Sequence, residues 1–488
     1  MNKKAVGFAG MLLAGALVVG CQGTGSGPRS ASEYRADQAE ASNMRLVGFS
    51  RLQARSAYQP VIHQQGSRWF AYIGHHGGKP KINPITGIVE NNGTSIVDVT
   101  DPANPKYIAH IEGQKGGTES GGAQMVRLCN GSDLPKGDRG KVYMLRSFGN
   151  SAHEMWDVTN PEKPAIVTVI VRGLRDTHKS WWECDTGMAF LVSGVKGWGS
   201  RRMTQVYDLS NPAKPVHIRD FGHVGQEPGA KTSMPDSFYD LHGPISVGPK
   251  ANRIYFGYGT NRDGLLQIVD REKLINGPKE PTPENLLYPQ VSRLELGPWN
   301  GAHTALPVLG FELPQFAHDA KGKKRDFVFI VNESLRNECT EEARQLVYVV
   351  DVTNEKNPLP VANFDVPESP GGFCSRGGRF GAHSPNEYQY SAYDKRILFF
   401  AWFNAGVRAV DVRDPYRPKE IGYYIPAITS ETDQRCVKTK EGMRCKTAIQ
   451  SNNLEVDNRG YIYVVDRADT GVHILELVGD ARRVANFK

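Results

Sequence analysis

The chain is predicted to fold as an all-β, seven-bladed propeller. Three observations predict it. A β-run ending in Asp, followed by a polar Asx/Pro turn and a second β-run, recurs along the chain. A further apolar run precedes each copy. Gly (52) and Pro (30) are frequent enough among 488 residues to supply many tight turns between short strands. At 39% hydrophobic and 23% charged the chain can bury a large core, which excludes global disorder. Lys plus Arg exceeds Asp plus Glu by 59 − 52 = 7, too mild over this length to indicate nucleic acid as a partner.

Residues 1–21 read as a targeting segment. Lys3 and Lys4 start it, an apolar run from Ala5 to Val19 follows, and it ends in Val18-Val19-Gly20-Cys21. The run is too short and Gly-rich for a spanning helix. Its end resembles the bacterial lipoprotein cleavage box. The resemblance implies cleavage before Cys21, acylation of that cysteine and anchoring to a membrane, since each buried CH₂ contributes about 0.8 kcal/mol. Gln rather than Asp at position 22 leans the address toward an outer membrane or cell surface. Residues 22–43 are polar and rich in Gly, Ser and Ala, and are expected to be a flexible tether. The propeller is expected over 44–488.

The clearest copies are TSIVDVTDPANPKYIAHI (94–111), AHEMWDVTNPEKPAIVTVI (152–170) and MTQVYDLSNPAKPVHIRDF (203–221). Later ones are VYVVDVTNEKNPLPVANF (347–364) and VRAVDVRDPYRPKEIGYY (407–424), with degenerate copies at 265–274 and 471–487. β-Branched and aromatic residues suit the strands, and Asx with Pro sets the turns. The preceding apolar runs are WFAYIG, KVYML, MAFLVSG, RIYFGYG, FVFIVN, ILFFAWF and YIYVV. With one more short segment ahead of each, every unit holds four strands, and seven units fit between residues 60 and 488. An open solenoid is disfavoured because the units differ in length. The copies, above all AWFNAGVRAVDVRDPYRPKEIGYYIP (401–426), resemble the LVIVD repeats of bacterial surface propellers. That resemblance implies a surface-located propeller and little about chemistry.

Six cysteines remain besides Cys21, and an even number in an exported chain suggests disulfides. Cys436 and Cys445 flank a polar stretch and are expected to staple a loop. Cys339 could pair with Cys374. Cys129 and Cys184, at equivalent points of neighbouring units, could bridge blades.

The inner strands A begin VIHQQ, AQMV, DTHKS, DLHGP, GAHTA, GAHSP and QSNN. Aligned, they place His63, His178, His242, His303 and His383 at one level, with Gln124 and Asn452 in the other two units. The loops between the second and third strands open on the same face and bring His75, His76, His153, Glu333, Asp466 and Arg467 to a rim around the axis. Three readings fit such a ring. It suits one transition metal (Cu, Fe, Zn or Mn), since neutral imidazoles are good ligands. It also suits a polar ligand pocket. Alternatively, each His closes its own blade onto the next. Seven-bladed carotenoid oxygenases and selenium-binding proteins offer an architectural analogy for the first, without shared motifs. Glu183 and Glu387 on the inner strands are expected to be solvated or ion-paired. No GxSxG, P-loop or HExxH motif is present. Two functions are therefore open: a surface protein binding a protein or small-molecule ligand, or a metal-dependent oxidoreductase or oxygenase.

Overall fold

The computed structural model describes residues 27–231, 240–260, 263–313 and 324–487. The targeting segment 1–21, with Cys21, lies outside the described residues. Seven antiparallel sheets form the blades, each with four strands in up-and-down order; the first is interrupted by an inserted hairpin, the seventh takes its outer strand from the N-terminal side, and two blades carry a fifth strand. The inner strands, in blade order, are Ala57–Gln65, Val126–Asn130, Trp181–Trp182, Leu241–Ser246, Thr304–Glu312, Ser384–Pro385 and Ser451–Val456. The second and third strands fall on the runs the repeat predicts, for example Arg68–Gly77 and Thr94–Asp98 in blade one.

The repeat has a visible turn chemistry. The Asp that ends the third strand accepts the backbone N–H two residues on: Asp98 from Thr100, Asp157 from Thr159, Asp208 from Ser210, Asp351 from Thr353 and Asp411 from Arg413. The second Asx of the motif repeats the bond, as Asp101 does with Ala103 and Asn160 with Glu162. Two Asx turns in series reverse the chain into the outer strand. In blade four Asp270 instead caps the helix Arg271–Asn276, which explains the degenerate copy there.

The last copy behaves differently from expectation. Only Gly471–Leu477 of 471–487 is a strand, and a short helix, Gly479–Val484, follows. The outer strand of blade seven is Met44–Ser50, paired antiparallel with Gly471–Leu477, so the N-terminal end of the domain closes the ring. Part of the expected tether is also built in. Glu40–Ser42 is a fifth strand on blade six, paired with Lys419–Ile425. Its cause is electrostatic: buried Arg376 pairs with Glu40 at 2.7 Å and lies over the Tyr34 ring.

All three disulfides form as the sequence suggests. Cys129–Cys184 joins the inner strand of blade two to blade three, Cys339–Cys374 ties the loop between the second and third strands of blade five to the connection into blade six, and Cys436–Cys445 staples the hairpin Gln434–Thr439/Gly442–Thr447. Among the described residues no helix is long and apolar enough to cross a membrane.

Candidate metal centre

The inner strands deliver one residue each to the axis. In blades one, four and seven the strand opens with the pairs Ala57↔His75, Leu241↔Tyr258 and Ser451↔Asp466. A register shift follows each pair, and the first residue inside it is Tyr58, His242 or Asn452. The same level holds His178, His303 and His383, each just ahead of its strand, and Gln124 in blade two.

Four imidazoles meet there. His178 Nε2 lies 2.8 Å from His242 Nε2. The His242 and His303 rings are 3.5 Å apart between centroids, and those of His303 and His383 4.4 Å. Tyr58 Oη lies 3.1 Å from His178 Nε2 and 3.5 Å from His242 Nε2. The Glu333 carboxylate completes the group, 3.9 Å from His303 Nε2 and 3.6 Å from His383 Nε2. Ligand atoms of His242, His303 and Glu333 all fall within 4.8 Å of one another. The structure therefore gathers four of the five aligned histidines.

His63 is not among them. It sits toward the other end of a nine-residue strand, opposite Phe70, and its Nε2 is 2.9 Å from Asn130 Oδ1 of blade two. Blade one has Tyr58 at the axial level instead. His63 therefore lies near the far end of the strand Ala57–Gln65, and Tyr58 near its start.

Burial, reinforced by neighbouring imidazoles and cations, holds His178, His242, His303 and His383 well below the usual imidazole range, so all four are neutral. Burial likewise raises the Tyr58 phenol, and it raises Glu333 against the opposing pull of Arg379, whose Nη1 is 3.2 Å away. His383 Nδ1 donates to Asn452 O at 2.6 Å, which frees Nε2 as a lone pair. His303 Nδ1 lies 3.1 Å from Thr304 Oγ1, which also accepts from Lys179 Nζ. His303 Nε2 and the Nδ1 atoms of His178 and His242 are buried without a hydrogen-bond partner.

The rim residues divide. His76 belongs to the site: its ring is edge-on to Tyr58 at 4.8 Å, and Nε2 is 3.3 Å from Glu119 Oε1. Arg467 Nη2 reaches the same oxygen at 3.1 Å. Desolvation at Glu119 is outweighed by His76 and Arg467, which hold its carboxyl well below the usual range. Gln124 Nε2 donates to Glu119 O and Asn452 Nδ2 to Tyr58 O, so both position neighbours. His75 turns aside to Ser95 Oγ at 2.7 Å. His153 is buried with neither ring nitrogen partnered. Asp466 caps a turn, accepting from the N–H groups of Gln450 and Ala468.

Beneath the imidazoles the channel is plugged. Glu387 is buried between Arg127, whose Nη2 donates at 2.6 Å, and Lys179 Nζ, with Gln59 Nε2 at 3.1 Å. Trp181 lies under the Arg127 guanidinium and stacks on Tyr388. Glu183 is buried against Arg271. Both inner-strand glutamates are thus ion-paired. Tyr58, Glu119, Lys179, Thr304 and Arg379 also belong to the site and were not among the residues expected there. Tyr58 was legible from the strand register; Glu119 lies on an insertion, Thr118–Ala123, with no counterpart in other units.

No family model matches the chain, and no curated protein matches it. Among solved structures it is similar to Chaetomium thermophilum Sqt1 bound to the N-terminus of the ribosomal protein L10. The identity is 8%, over 88% of this chain and 99% of that one, with a TM-score of 0.45.

Proposed function

We propose that this chain is a lipid-anchored, extracytoplasmic propeller of the LVIVD type whose axial site binds one first-row transition metal. His178, His242, His303 and His383 are its ligands, with Glu333 beside them. The observation that carries the metal is a run of four buried, neutral imidazoles at whose centre His242, His303 and Glu333 bring ligand atoms within 4.8 Å of one another. Two nitrogens each about 2.0–2.1 Å from one ion are about 2.9 Å apart at a right angle and about 3.4 Å apart at a tetrahedral one, and His178 Nε2 and His242 Nε2 are 2.8 Å apart. A hydrogen bond between those two also fits that spacing, but it leaves His303 Nε2 unpaired and buried. The donor set is imidazole-rich, which suits Fe, Cu or Zn better than Mn or Mg.

An ion in this shell, if Fe or Cu, supplies one-electron chemistry, so the reaction class that fits is oxidoreduction. The protein's own residues define the setting. Asn452 O orients His383, and the Thr304 hydroxyl does so for His303. The Lys179–Glu387–Arg127 network fills the channel below, so a ligand enters from the side of His76 and Glu119. Tyr58 places a neutral phenol against two of the four imidazoles.

The address rests on Lys3, Lys4, the apolar run and the box ending at Cys21, together with three disulfides, which belong to oxidising compartments. The repeat identity rests on the third strands ending IVD, VVD and AVD. Elemental analysis of untagged residues 22–488 tests the metal: about one equivalent, lost in His242→Ala and His303→Ala, supports the reading, and none after reconstitution leaves a metal-free binding protein. Cys21→Ser tests the anchor, which predicts release of the protein from the membrane fraction.

A further inference from the structure

A groove of about 680 Å³ opens beside the axial site, between the insertions of blade one and the loops of blade seven. That volume falls in the range of small-molecule sites, about 300–1,000 Å³. Its lining is basic: Lys79, Lys81, Lys115, Arg435 and Arg467. Among the described residues none of the three lysines has an ion-pair partner, and Arg435 Nε is buried without a hydrogen-bond partner. Two acids share the groove. Asp433 is 3.9 Å from Arg435. Burial raises Asp469 to about 7, with Lys81 pulling the other way, so it is only partly charged near neutral pH. The balance favours an anion.

The walls are fixed before any ligand arrives. Buried Arg55 donates to Lys81 O, Glu90 O and Asn92 Oδ1, which locks the hairpin Lys81–Ile82/Val89–Glu90. On the other side Gly77 packs on Gly116; a Cβ at Gly77 would come within 2.4 Å of Gly116 O, so only glycine lets these segments meet. The floor leads to the imidazoles. Arg467 pairs with Glu119, Glu119 with His76, and His76 lies against Tyr58, whose hydroxyl reaches His178 and His242.

We infer that this groove binds a small multivalent anion whose charge is carried by carboxylate or phosphate groups. Lys79, Lys81 and Lys115 hold the charged group, and Arg467 draws the rest of the molecule toward the axis. Anion binding stands on the groove alone; only delivery to a metal rests on the function proposed above.

The test is calorimetric titration of metal-free residues 22–488 with citrate and, separately, with pyrophosphate, using glucose as the uncharged control. One saturable site for citrate or for pyrophosphate, with no heat from glucose, is expected, and which anion binds tells carboxylate from phosphate. A triple variant, Lys79→Ala/Lys81→Ala/Lys115→Ala, should weaken it by about tenfold or more, roughly 1.4 kcal/mol. Lys324→Ala/Lys395→Ala, in the other charged groove between blades five and six, should leave it unchanged. Should the triple variant unfold, Lys115→Glu alone, at an exposed side chain, is expected to show the same loss. No saturable binding of either anion overturns the inference. So does equal weakening in both variants, which means an adventitious ion only. Metal content should be the same in the triple variant and the parent. A parent that binds anion but never metal would sink the proposed function and leave the groove standing.

Discussion

Replacing Glu387 by Gln should cost the propeller about 3–5 kcal/mol, because it strips the anion from a buried pair of cations. The carboxylate is 1% exposed and receives Arg127 Nη2, Lys179 Nζ and Gln59 Nε2. A second route to the magnitude agrees. Burial pushes its pKa up, but Lys179 and Arg127 outweigh that and hold it at about 2 rather than 4.5. At about 1.4 kcal/mol per pH unit, that gap is worth roughly 3 kcal/mol. The sign follows from the depressed value. The stabilisation is complete above pH 4.5 and is lost as pH falls toward 2. Unfolding entropy of about 2.1 cal/mol/K per residue over roughly 440 residues makes this a fall of about 4 °C in Tm at neutral pH. Thermal unfolding of Glu387→Gln and the parent, followed by circular dichroism from acid to neutral pH, is the assay. The variant should be less stable at pH 7 and converge on the parent at acid pH. A variant within about 1 °C of the parent at neutral pH, against the roughly 4 °C expected, would refute the buried-network argument.

Thr304→Val should lower metal affinity by about 10–100-fold with little change in Tm, measured by competition with a chelator; unchanged affinity would show that Thr304 does not orient His303. Thiol counting on denatured, unreduced residues 22–488 should find no free thiol. Removing Cys129–Cys184 by double Ser substitution opens a 55-residue loop and should cost roughly 4 kcal/mol in urea unfolding. Burial raises Glu455 to about 8, so its contribution is complete below pH 4.5 and declines as pH rises through 8; a stability-against-pH scan should slope less in Glu455→Gln, and an identical slope would count against it. Glu40→Gln should destabilise by about 3–5 kcal/mol through uncompensated Arg376, and an unchanged denaturant midpoint would mean that the strand Glu40–Ser42 docks without the ion pair.

The blade number, the second and third strands and the turn chemistry were legible because each rests on local signals: period-two apolar runs and Asx side chains that bond their own backbone. Ring closure by Met44–Ser50 was not, since pairing across the whole chain leaves no local mark. Cys129–Cys184 was readable because equivalent positions in neighbouring units are close in space, and Cys436–Cys445 because the two flank one short polar stretch. Four axial histidines were found by aligning the strand starts, which failed at His63 because the axial residue of blade one is Tyr58, earlier on the same strand. Glu119 and the plug of Arg127, Lys179 and Glu387 depend on which long side chains cross the axis, and that is decided by the assembled ring. Tyr58 lay in reach of a stricter register, one residue after the pair Ala57↔His75.

Elemental analysis of untagged residues 22–488, as isolated and after reconstitution, separates imidazoles gathered for an ion from imidazoles that only close the ring. About one equivalent of Fe, Cu or Zn is expected in the parent, and none in a folded His242→Ala/His303→Ala double variant. A folded parent that takes up no metal, or a double variant that keeps it, would overturn the axial metal site.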